Sequence, residues 1–139
     1  MRIRPAAAQD CAALEALIEQ LGYEAQAGDI AARLAEIRAD GREVLVAEEG
    51  GRVVGCLSTS IMRVLHRPKP VGRISMMVVA DGLRGQGIGA ALVRAAEEWL
   101  VAQGCGMVEV TSNNRRADAH RFYEKLGYEK TSVRLAREP

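Results

Sequence analysis

The chain has 139 residues, 48% hydrophobic and 27% charged, with 19 Lys+Arg against 18 Asp+Glu. That length suits a single domain over residues 1–139, able to bury about two thirds of its unfolded surface, and the composition excludes a disordered chain. A net charge of +1 offers no footprint for nucleic acid or an anionic membrane, and no apolar run approaches the ~18 residues of a membrane span.

Cys11, Cys56 and Cys105 are odd in number and far apart, with no Cys-x-x-Cys pair. This argues against a disulfide framework or a zinc site and for a reducing cytoplasm. A first helix is predicted over Cys11–Leu21, with Asp10 as its cap, Leu14, Leu17, Ile18 and Leu21 as its apolar stripe, and Gly22 ending it. A second follows over Ile30–Ala39, capped by Asp29, with Ile30, Leu34 and Ile37 on one face. Two extended runs, Val44–Glu48 and Val53–Ser60, are joined through Gly50-Gly51 and predict an antiparallel hairpin. Pro68 and Pro70 make the next segment a loop.

Arg73–Ala80 reads as a largely buried strand, followed by a Gly-rich turn and a helix over Gly87–Gln103 carrying Ile88, Leu92, Ala95, Ala96 and Trp99 inward. Met107–Thr111 predicts another strand. A fourth helix follows near Arg115–Leu126, capped by Asn113 or Asn114, with Ala119, Phe122, Tyr123 and Leu126 on one side. Tyr128–Arg134 predicts a last strand, whose exposed edge would suit pairing across a homodimer; a monomer is the other expectation. Strand–helix–strand over residues 73–111 is a parallel crossover. With the hairpin before it, this makes an α/β domain with a mixed, mostly antiparallel sheet and a central parallel crossover.

The most informative stretch is Asp81-Gly82-Leu83-Arg84-Gly85-Gln86-Gly87-Ile88-Gly89-Ala90. Glycines at every second position let main-chain N–H groups approach a ligand. The helix begins there, so its unpaired N–H groups and positive dipole end suit a phosphate or pyrophosphate. Glycines that merely permit close helix–sheet packing are the alternative. A P-loop is excluded, because Ile88-Gly89 stands where lysine and a hydroxyl residue are required. Gly85-x-Gly87-x-x-Ala90 fits a dinucleotide fingerprint, with Glu109 about 20 residues on. Against that reading, Ala80–Arg84 separate the glycines from their strand, and too little chain follows Glu109 for a dinucleotide domain.

Arg84-x-x-Gly87-x-Gly89, between a strand and a helix, resembles the acetyl-coenzyme A loop of the GNAT superfamily of N-acyltransferases. Phe122-Tyr123-Glu124-Lys125-Leu126-Gly127-Tyr128 resembles that superfamily's other signature, in the right order and separation. The resemblance implies a GNAT-like fold with helices on both faces of the sheet. It also implies direct transfer of an acetyl group from acetyl-CoA, without a metal, to a primary amine on a small molecule, protein or peptide. Met77, Val78 and Val79, then Arg84, Gly85, Gln86, Gly87, Ile88, Gly89 and Ala90, would hold the donor by their main chain, with Asn114 and Tyr123 adding side-chain contacts.

The resemblance makes Tyr123 the general acid, since a phenol of pKa about 10 keeps its proton at neutral pH. The family often has glutamate nine residues before the motif arginine; Ser75 stands there. Ser75 can only relay a proton through water, so Glu109, Glu24 and His120 become substitute bases. Glutamate missing at that position also raises a second reading, an acyl-CoA-binding sensor or partner protein without transferase activity. His66, in the proline-bounded loop, suits the acceptor cleft better than catalysis.

Overall fold

The computed structural model describes residues 1–111 and 117–139. Five strands form one sheet in the order β1-β2-β3-β4-β5: β1 Arg2–Pro5, β2 Val44–Glu49, β3 Arg52–Met62, β4 Val71–Val79 and β5 Met107–Val110. All neighbours are antiparallel except β4 and β5, which pair in parallel from Val71↔Met107 to Ile74↔Val110. The mixed sheet is as expected, but its parallel pair lies at an edge rather than the centre. The reason is that no strand forms over Tyr128–Arg134. Residues 128–139 carry no regular structure, and Val133 and Leu135 are exposed. Their β-branched and apolar side chains favour a strand only where a neighbouring ladder receives them.

The helices are α1 Cys11–Gln20, after a single 3₁₀ turn at Ala8–Asp10, then α2 Ala27–Ala39, α3 Ile88–Ala102 and α4 Ala117–Lys125. α1 and α2 bury Leu14, Leu17, Ile30 and Leu34 against one face of the sheet, where Val44, Val46, Cys56 and Val78 point. α3 and α4 bury Ile88, Leu92, Ala96 and Tyr123 against the other, with Leu45, Leu57 and Ile74. The β2–β3 turn is Gly50-Gly51, with φ +58° and +78°, the left-handed pair that matches strand twist in a two-residue hairpin.

Two local expectations change. Asp10 does not cap α1 with its side chain. It is buried, accepts the Ala7 N–H at 2.7 Å, and takes both arms of the Arg4 guanidinium at 2.7 and 2.9 Å. Arg4 holds its carboxyl below the usual range. That ion pair ties β1, absent from the sequence reading, to the start of α1. Secondly, α2 begins at Ala27, which puts Asp29 inside its first turn rather than at the cap. The expected caps Asn113 and Asn114 lie outside the described residues.

Candidate active site

β4 organises the site. Its register with β3 runs Ser58↔Met76 and then Thr59↔Ile74, so Ser75 has no partner and forms a bulge. The bulge switches the side-chain alternation: Ile74 packs towards α3, yet Met76 packs towards α1. The ladder with β5 ends at Ile74↔Val110. Beyond it Met76–Val79 pair with β3 on one side only, and among the described residues no strand pairs with their other main-chain edge. Met77, Val78 and Val79 therefore sit where an extended ligand can complete the sheet.

The glycine loop continues from that edge. Gly82, Gly85 and Gly87 have φ of +83°, +82° and +82°, a conformation that costs other residues ~1–2 kcal/mol. A Cβ at Gly85 or Gly87 would meet nothing within 4 Å. These two glycines thus serve the backbone path of an exposed loop, not packing. Gly87 is the N-cap of α3, and no side chain caps the helix. The N–H groups of Ile88, Gly89 and Ala90 have no acceptor within the helix. Gly89 differs: a Cβ there would lie 3.2 Å from Phe122 Cζ and 3.4 Å from Met77 Cε. At Gly89 the packing explanation holds, since it lets the start of α3 sit tightly between β4 and α4. Arg84 is exposed and pairs with Asp81 at 3.5 Å.

Gln20, at the end of α1, brackets the point where strand becomes loop. Its Nε2 donates to Val79 O at 2.7 Å and its Oε1 accepts from Asp81 N–H at 2.9 Å. Nothing in the sequence marks it, because a glutamine ending a helix is commonplace.

Tyr123 is buried beneath α3, edge-on to Phe122 (centroids 5.0 Å) and to Tyr128 (5.7 Å). Burial pushes its phenol up to about 12. Tyr128 donates to Glu97 at 2.8 Å, and its phenol is raised by burial and by that carboxylate. The tyrosine is therefore kept protonated at any physiological pH.

The base candidates are on the opposite face. Ser75 Oγ lies 2.8 Å from Ser58 Oγ and donates to Ser58 O at 3.1 Å. Glu109, directly across from Arg73 in the β4–β5 register, accepts from Arg73 Nε at 2.8 Å and Nη2 at 2.6 Å. β4 thus separates the acid candidate from Ser75 and Glu109. Glu24 is exposed after α1, His66 is exposed in the proline-bounded loop, and His120 is half-buried on α4; none of the three is hydrogen-bonded to the site among the described residues. Asn114 lies outside the described residues.

The sequence pattern of the acetyltransferase (GNAT) family matches residues 11–128. The chain belongs to the GNAT family. Aminoalkylphosphonate N-acetyltransferase of Salmonella typhimurium is 34% identical over 140 residues, covering 97% of this chain and 89% of that protein. Glucosamine 6-phosphate N-acetyltransferase of Trypanosoma brucei brucei is 34% identical over 87 residues, 62% of this chain and 57% of its own. Among solved structures, a transcriptional regulator from Bacillus halodurans C-125 superposes with a TM-score of 0.88 at 27% identity, covering 99% of this chain and 98% of that one. The GNAT chain described here is an N-acetyltransferase that passes an acetyl group to an amine. The family takes that group from acetyl-CoA.

Proposed function

We propose that residues 1–139 form one acetyltransferase domain that binds acetyl-CoA along β4 and its glycine loop and acetylates a small primary amine directly, within a ternary complex. One observation supports this: the loop through Gly85 and Gly87, open above both glycines, and the uncapped start of α3 continue the edge of Met77–Val79, which no strand among the described residues pairs. A pyrophosphate matches the cradle, and an extended amide-bearing arm matches the edge. Acetyl-CoA has both, and it supplies the acetyl group as an activated thioester.

The chain's own residues then have three tasks. Main-chain N–H groups of β4 past the bulge polarise the acetyl carbonyl, an interaction worth about 10²–10³ in rate in other acyl transfers. Tyr123 gives its proton to the departing sulfur. A phenol near 12 is a weak acid, but a thiolate formed away from water is a correspondingly strong base; buried Cys56, pushed up to about 12 by desolvation, illustrates the effect in this same protein. The amine's proton leaves on the other face, through water held by Ser58 and Ser75, to Glu109. An acid and a base on opposite sides of β4 suit a nucleophile and a leaving group that also lie on opposite sides of the reacting carbon.

The acceptors named for the two relatives are amines that carry a phosphorus oxyanion, and we take the acceptor here to be of that kind. Three buried free thiols suit a reducing cytoplasm. Calorimetry with acetyl-CoA tests the donor site: micromolar binding is expected, abolished in Gly87→Glu, which fills the cradle and repels phosphate. Absence of binding to the unaltered protein would overturn the proposal.

A further inference from the structure

We infer that Arg73 is a specificity residue that reads an anionic group on the acceptor, selecting amines that carry a phosphonate, phosphate or carboxylate over plain amines. The inference rests on the acetyltransferase reading above.

Arg73 projects from β4 on the α1–α2 side, since its neighbours Gly72 and Ile74 face α3. The helices on that side cover Val44, Val46, Cys56 and Val78. Ser75, exposed, and Ser58, Arg73 and Glu109, half-buried, form a polar strip of sheet beside the point where β4 and β5 part. Arg73 spends both Nε and Nη2 on a single oxygen, Glu109 Oε1. Its other terminal nitrogen, Nη1, meets no acceptor among the described residues, and the side chain is 31% exposed. A guanidinium anchored along one edge presents its remaining donors in a fixed direction, which suits a planar or tetrahedral oxyanion.

The separation is right for one small molecule. The acceptor nitrogen must reach the main-chain edge just past Ser75. Arg73 is two residues back, about 7 Å along the strand, a gap that a short aminoalkyl linker closes with the arginine reaching towards it. Charge points the same way. Arg73 and Glu109 together are neutral, so the strip holds little attraction for a simple ammonium. Whatever an ammonium gains near Glu109 is common to both classes, and a zwitterion adds the pairing of its anion with Arg73. Discrimination then comes from that one contact, which plain amines cannot make.

The test follows release of the coenzyme A thiol with matched acceptors: 2-aminoethylphosphonate, O-phosphoethanolamine and β-alanine against ethanolamine and propylamine. Anionic acceptors are expected to have the higher kcat/KM in the unaltered enzyme. Arg73→Gln should lower the anionic-to-neutral ratio of kcat/KM at least tenfold, leave KM for acetyl-CoA within twofold, and be partly rescued by Arg73→Lys. Because Arg73→Gln also leaves the Glu109 carboxylate unpaired, and that charge alone would repel anionic acceptors, the double variant Arg73→Gln/Glu109→Gln is measured beside it and should show the same fall in the ratio. An unchanged ratio, or an unaltered enzyme that prefers neutral amines, overturns the inference. A second arm measures calorimetric binding of 2-aminoethylphosphonate to the coenzyme A complex, so the result stands without turnover; equal affinity for unaltered and Arg73→Gln protein overturns it. Failure of the unaltered protein to bind acetyl-CoA strikes the parent reading instead. The three anionic arms separate phosphorus oxyanions from carboxylates.

Discussion

The two halves of the proposed site are built differently. The proposed donor half, Met77–Ala90, is main chain: a strand edge, three left-handed glycines and the first turn of a helix. The proposed acceptor half, Ser58, Arg73, Ser75 and Glu109, is side chains on a sheet surface. A main-chain site tolerates almost any side chain so long as the backbone path survives. A side-chain site can be respecified by one substitution without disturbing the fold. Such a division would let one donor cradle be kept while the acceptor changes.

The sharpest way to probe that contrast is Tyr123, a side chain proposed to act in the donor half. Tyr123→Phe should lower kcat by about 10²–10³, with KM for acetyl-CoA within twofold in steady-state assays. If turnover persists, the donor half works by main chain alone. Tyr123 also leaves a mark on stability. Its phenol rises from 10.0 to about 12 on folding, so the native state retains a proton that the unfolded chain loses. Stability is then full below pH 10 and falls as pH climbs towards 12, by about 2–3 kcal/mol from this residue. Urea unfolding at pH 9 and pH 11 should show the loss in the unaltered protein and less of it in Tyr123→Phe.

Gly89→Ala is the next test, because Gly89 belongs to packing and its neighbours Gly85 and Gly87 do not. A Cβ 3.2 Å from Phe122 should cost about 1–3 kcal/mol, measured by urea unfolding, and a subsequent rise in Kd for acetyl-CoA would follow only from displacement of the helix start. Smallest is Gln20→Ala, which removes two bonds from the strand–loop junction. Kd for acetyl-CoA should rise about tenfold with kcat within twofold at saturating donor. An equal fall in kcat would mean that the junction acts on chemistry rather than binding.

Sequence legibility follows the same division. The loop, β4 and α3 could be read because glycine spacing and a helical stripe are local signals. The Phe122–Tyr123 block could be read by resemblance, yet nothing local separates an acid from a core aromatic, and Tyr123 is in fact buried among its neighbours. β1 escaped notice because Arg2, Arg4 and Pro5 surround a single apolar residue; its place depends on pairing with β2 and on Arg4 meeting Asp10. The same buried ion pair is why Asp10 reads as a cap in the sequence but does not act as one. Tyr128–Arg134 erred the other way, since propensity cannot supply a ladder. Ser75 was visible as a departure from the family pattern, but its bulge and its contact with Ser58 arise from strand register. Arg73 and Gln20 gave no signal because their partners, Glu109 and the Val79–Asp81 main chain, are 36 and about 60 residues away.

Gln20 is carried by α1, on the same face of the sheet as the proposed acceptor strip, yet both its bonds end on the main chain that leads into the proposed donor loop. Any displacement of α1 by an arriving amine would pull on that main chain. Linkage makes such a tie symmetrical: whatever factor the amine exerts on nucleotide affinity, the nucleotide exerts on the amine. Through such a tie the proposed donor and acceptor sites would each sense whether the other is occupied.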